Sequence, residues 1–156
     1  MISTNQHFNQ NKMKKSLLLL TLIVVFTQAQ AQKIKEKHVP TNVVSAFHKS
    51  YPMVKTVHWH RIGERFEASY DRDKMEKNLI YDVNANLVEY KMEIMASGMP
   101  TAASDYMKKN HKEHKVRETY KVTDASGNVS YEAEVKGMDL YFDANGNFIK
   151  SLKDKD

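Results

Sequence analysis

Two histidines flank a tryptophan in His58-Trp59-His60, and Glu67 follows close enough to lie on a neighbouring strand. Imidazoles at i and i+2 of a strand leave the same face. Such a pair chelates Zn2+ or Cu2+ when a third ligand joins it, and Glu67 is the candidate for that place. The competing reading is two solvated surface histidines. His111 and His114 sit among lysines at a helix end, where a cation complements the helix dipole.

A second pattern, "DVNAN", "DASGN" and "DANGN", begins at Asp82, Asp124 and Asp143. Aspartate with alternating Asn or Gly resembles the start of a Ca2+ loop, but the distal bidentate glutamate is missing. All three segments lie where hairpins are required. Paired carboxylates can do acid/base work, and Glu67, Glu132 and Glu134 occupy equivalent outward positions. Outward glutamates also keep an open sheet soluble. No Gly-x-Ser-x-Gly, His-Glu-x-x-His or phosphate-binding glycine loop accompanies them. The expectation is no enzyme, no cofactor and no dedicated metal site.

These residues need elements to position them, and the N-terminal stretch is not one of those elements. Lys12, Lys14 and Lys15 precede "SLLLLTLIVVF" and then Ala29-Gln30-Ala31. A charged start, an apolar run of about eleven residues and a small-x-small site form an export signal. A membrane-spanning helix needs roughly twenty apolar residues. Residues 1–31 are therefore expected to be removed, with translation starting at Met1 or Met13. Three of the 24 Lys+Arg precede that point and none of the 19 Asp+Glu does, so 21 basic residues face 19 acidic ones in the mature chain. That small excess gives no reason to expect a nucleic acid or a membrane surface as partner. The absence of cysteine excludes thiol chemistry, disulfides and lipid attachment, so a soluble periplasmic or secreted product held by core packing is expected.

The remaining chain repeats itself. "VPTNVVSAFHKSYP" from Val39 answers to "MPTAASDYMKKNHK" from Met99, "RFEASYD" from Arg65 to "SYEAEVK" from Ser130, and "LIYDVNANLV" from Leu79 to "LYFDANGNFI" from Leu140. Three matches in the same order, roughly sixty residues apart, read as a tandem duplication. Residues 32–97 form the first repeat and 98–156 the second, packed as one unit. Val43, Val44, Phe47 and Tyr51 make an apolar helix stripe after Pro40. Ala102, Ala103, Tyr106 and Met107 make a thinner one after Pro100. Period-two alternation follows: Phe66, Ala68 and Tyr70 oppose Glu67, Ser69 and Asp71, while Tyr131, Ala133 and Val135 oppose Glu132 and Glu134. That alternation describes antiparallel strands covered on one side. The expected fold is α+β: two repeats, each a helix followed by about four antiparallel strands, in two layers with one sheet face exposed.

The motifs "VPTNVVSAFHKSYP…VHW", "FEASY", "YDVNANLVE", "MPTAASDYM", "YEAEV" and "LYFDANGNFIK" resemble the beta-lactamase-inhibitor-like, PepSY-like family of exported bacterial proteins. The resemblance covers the mature chain in both copies and implies helix-plus-sheet repeats, export and no enzymatic activity. The shared motifs are structural, so they transfer no target. "KKNHKEHK" departs from the tyrosine-proline ending expected after the second helix.

The functional expectation is a non-catalytic binding protein that presents its open sheet face to a protein or peptide. On that face His58, His60, Glu67, Arg117, Lys121, Glu132, Glu134 and Tyr141 are expected to meet the partner. Mixed charge there suits a protein surface better than a polyanion. The alternative function is periplasmic transition-metal binding through His58 and His60.

Overall fold

A computed structural model describes residues 31–153. The export signal expected at 1–31 lies, except for Ala31, outside the described residues. Strand β1 (Ala31–Ile34) and a 3-10 turn (Glu36–His38) lead into helix α1 (Thr41–Ser50). Strands β2 (His58–Ile62), β3 (Arg65–Arg72), β4 (Met75–Tyr81) and β5 (Leu87–Glu93) follow. A second 3-10 turn (Ala96–Gly98) precedes helix α2 (Thr101–Asn110) and strands β6 (Val116–Asp124), β7 (Val129–Val135), β8 (Met138–Phe142) and β9 (Phe148–Lys153). All nine strands form one open sheet in chain order, every neighbouring pair antiparallel. Strand β1 was not foreseen: four residues beside a cleavage motif carry too little alternation to read.

Helices start alike and stop alike. Pro40 and Pro100 stand at the N-caps, where a missing N–H costs nothing. At the far ends the Tyr51 N–H donates to the Phe47 carbonyl and the His111 N–H to the Met107 carbonyl, both at 2.8 Å. "KKNHKEHK" therefore leaves the closing turn of α2 intact.

The register puts both helices on one face. Leu79 opposes Tyr90, Tyr90 opposes Thr123, Lys121 opposes Tyr131, and Tyr131 opposes Phe142, so the helix side runs unbroken across the sheet. Under α1, Val43 and Phe47 meet Trp59, Phe66, Ala68, Tyr70 and Leu79. Trp59 packs edge-on to Phe47 at 5.5 Å, and its indole N–H, which needs an acceptor when buried, donates to Glu36 at 3.1 Å. Under α2, Ala103 and Met107 meet Ala133, Val135, Leu140 and Phe142.

Three hairpins share one construction. The carboxylates of Asp82, Asp124 and Asp143 each accept backbone N–H groups two and four residues on, plus the side-chain amide of the Asn at i+4, all at 2.8–2.9 Å. Those hydrogen bonds, the Asn amide first, hold all three carboxyls below the usual range. Both oxygens are thus engaged in closing a turn, which is the role this aspartate pattern plays here.

Candidate functional site

Alternate residues of each strand leave the opposite, helix-free face. His60 opposes Glu67, Glu67 opposes Ile80, Ile80 opposes Glu89 and Asn78 opposes Lys91. Lys91 opposes Val122, Tyr120 opposes Glu132, and Glu132 opposes Tyr141. Ile80, Tyr120 and Val122 are buried there, yet they belong to neither helix-side core. Their cover is the polar side chains around them.

Lys91 is the hub. Its ammonium donates to Glu132 Oε1 at 2.9 Å and lies 2.8 Å from Oε2, with side-chain exposures of only 18% and 12%. It also lies 4.9 Å from the centre of the Tyr120 ring, in range of a cation–π contact. Burial alone would lower the Lys91 pKa, but Glu132, then Glu89 and Glu67, outweigh it and hold the ammonium above its ordinary value. Burial pushes the carboxyls of Glu67 and Glu89 up, with Lys91 opposing in both cases. A single buried cation therefore serves several partly desolvated carboxylates.

Beside this hub a second group is fixed by hydrogen bonds. The Glu76 carboxylate accepts from Ser69 at 2.7 Å and from the Tyr120 hydroxyl at 2.7 Å. Burial would raise its pKa, but these donors prevail and hold it low. The same hydroxyl lies 2.8 Å from Glu118. A phenol has one proton to give, so the two contacts are alternatives. Burial, then Glu76 and Glu118, pushes the Tyr120 phenol far above its ordinary range, so it is a neutral donor. Glu93 accepts the Glu76 backbone N–H at 2.9 Å, and Arg117 donates to Glu134 at 2.7 Å.

The residues expected on this face divide as follows. His58, His60, Glu67, Glu132, Glu134 and Tyr141 lie on it by register, and Arg117 reaches it through Glu134. Lys121 does not: it stands between Met92 and Tyr131 on the helix side. A bulge between Val116 and Thr119 shifts the parity of β6, so Arg117 and Lys121, two steps of two apart, do not share a face. His60 Nδ1 lies 3.3 Å from Glu67, near enough for ion pairing but poorly aligned for a hydrogen bond. Among the described residues no three His, Cys, Asp or Glu side chains are grouped to hold a metal ion.

Lys91, Glu89, Glu76, Glu118 and Tyr120 were not anticipated as part of the site. "VEYKMEI" did carry a signal, because alternation puts Glu89, Lys91 and Glu93 on one face. The partners they meet from β4, β6 and β7 cannot be read without the register.

Among the described residues, no helix is long and apolar enough to cross a membrane. No curated protein sequence matches the chain. A protein from Bacteroides eggerthii DSM 20697, described as a putative periplasmic protein, has a similar fold, with a TM-score of 0.66 and 14% identity over 74% of this chain and 89% of that one. A DUF2874 family protein from Bacteroides uniformis ATCC 8492 is similar at a TM-score of 0.63, 17% identity, and 73% and 88% of the two chains. A BLIP-like protein from Bacteroides fragilis NCTC 9343 has a TM-score of 0.54 and 21% identity, over 72% of this chain and 84% of that one. The family described as "Putative beta-lactamase-inhibitor-like, PepSY-like" matches residues 25–89 and again 70–150. With that match spanning most of its length, the chain belongs to the PepSY-like, beta-lactamase-inhibitor-like family.

Proposed function

We propose that this is an exported, non-catalytic binding protein that docks the helix-free face of its sheet on a protein or peptide partner, in an inhibitor-like role. One observation carries the reading: on a face that no helix of the described residues covers, Lys91 and Glu132 are held in a largely buried pair among partly desolvated carboxylates. Side chains already desolvated and hydrogen-bonded lose little freedom when a partner arrives, so the face is preorganised for recognition. Its fixed pattern of charge suits a complementary protein surface. The rim of such a surface would be Arg117, 61% exposed, and the half-buried Tyr141.

Export to the periplasm rests on the signal read at 1–31, on family membership and on the description of the Bacteroides eggerthii protein. A division into repeats 32–97 and 98–156 is supported by the order of elements, 3-10 turn, helix and four strands, occurring twice. Capture from periplasmic extract tests the docking face. Arg117→Glu combined with Tyr141→Ala should abolish capture of the partner, while Lys108→Glu on α2 should leave it intact. Capture that depends on Lys108 and ignores the pair would overturn the proposal.

A further inference from the structure

Strand β3 is longer than one of its neighbours. The β2–β3 ladder ends at His58 opposite Ser69, whereas β3 runs on through Tyr70, Asp71 and Arg72, paired with β4 alone. On the β2 side the chain arrives as the loop 53–57. Among the described residues, no backbone hydrogen bond made outside the ladders joins this loop to 70–72. A strand that outruns its neighbour leaves backbone N–H and C=O groups aimed into the gap. That gap is an open cavity of about 660 Å3, lined by residues 53–56, His58 and the overhanging 70–72. Its size falls in the range that holds a small ligand or a few residues of extended chain.

The walls say which occupant fits. Met53, 86% exposed, offers apolar contact beside Val54. Lys55 and Arg72 face the cavity against the single carboxylate of Asp71. Arg72 is held only loosely, its Nε 3.8 Å from an Asp73 that is 90% exposed. The notch thus combines a free strand edge, an apolar contact and an excess of positive charge.

We propose that the notch is a β-addition site: an extended segment of a partner protein lies beside residues 70–72 in the place β2 vacates, with an acidic side chain against Lys55 and Arg72. Backbone pairing would supply affinity and the two cations selectivity. The site does not use the network around Lys91, so it stands or falls apart from the docking face.

Two blocked pentapeptides, acetyl-Val-Thr-Glu-Val-Thr-amide and its Lys-centred counterpart, test it by backbone amide NMR on the mature protein. The Glu peptide should shift amides of 53–58 and 70–72 and bind about fivefold more tightly than the Lys peptide. Lys55→Glu with Arg72→Glu should reverse that order, and N-methylation of the peptide backbone should abolish binding. Should the double variant fold poorly, the preference of the wild-type protein and the N-methyl control decide alone. No shifts at 53–58 and 70–72, shifts centred on the helix-free face, or equal affinity for both peptides would overturn the proposal.

Discussion

Lys91 shows how a single side chain sets the character of the face around it. Its pair with Glu132 is mostly buried, so removing one partner strands the other. Glu132→Gln is expected to cost about 2–4 kcal/mol in urea unfolding, and Lys91→Met with Glu132→Leu to recover much of that, because a buried pair is often matched by an apolar one. The pH dependence has one sign for all three groups, because each pKa is raised and stability falls as pH rises through it. Lys91 is held above its ordinary value, so its contribution is complete at neutral pH and is lost as pH rises through its folded value in the alkaline range. Glu67 and Glu89 are raised by burial, so they take up protons on folding. They penalise the native state once pH climbs from the ordinary glutamate range, about 4.3, through their raised values. Glu67→Gln should flatten the fall in stability across that window, measured as urea midpoints against pH; an unchanged profile would contradict the assignment. At this scale the sequence shows residue types and parity. Glu67 and Glu132 were legible as outward residues, but the ammonium between them comes from β5, and only the register brings it there.

At the scale of elements, the helices resemble each other in outline and differ in substance. Val43 and Phe47 of α1 are fully buried, while the matching positions of α2 hold Ala103 and Met107. Phe47→Ala should cost on the order of 3 kcal/mol and Met107→Ala less, since a flexible side chain leaves a gap more easily closed. Amide exchange should be faster across 101–110 than across 41–50; slower exchange in α2 would mean that its exposed side is covered by something else. The hairpins make a sharper contrast. Gly127 and Gly146 share a φ near +84° and +85°, but a Cβ at Gly127 meets nothing within 4 Å, whereas one at Gly146 would lie 2.6 Å from Pro100 Cβ and 2.9 Å from the Ala103 nitrogen. Gly127→Ala should cost about 1 kcal/mol for backbone strain alone. Gly146→Ala should cost clearly more, because α2 has to move away from the hairpin. Helices, hairpins and most strands were readable from stripe, Asp-Asn-Gly clusters and alternation. The β6 bulge was not, because an extra residue leaves the composition unchanged while it turns Lys121 to the helix side.

For the whole molecule, the consequence of joining all the strands in chain order is a single broad sheet with two sides of different purpose. One side is packed by both helices, and the other carries polar side chains that cover Ile80, Tyr120 and Val122. An antiparallel sheet with helices on one side and a wet face on the other was legible because the alternation is a long-range pattern. What the wet side holds in place was not, because a network spanning β2 to β7 is made of residues far apart in sequence. In the function proposed above, this helix-free side is the interface. Site-specific photo-crosslinking in living cells tests it most directly, with the photoreactive residue at position 141 on that side or at position 108 on α2. A discrete protein adduct is expected from 141 that disappears when Arg117→Glu is added, and none from 108. Adducts from 108 alone, or equal adducts from both positions that ignore Arg117→Glu, would contradict it.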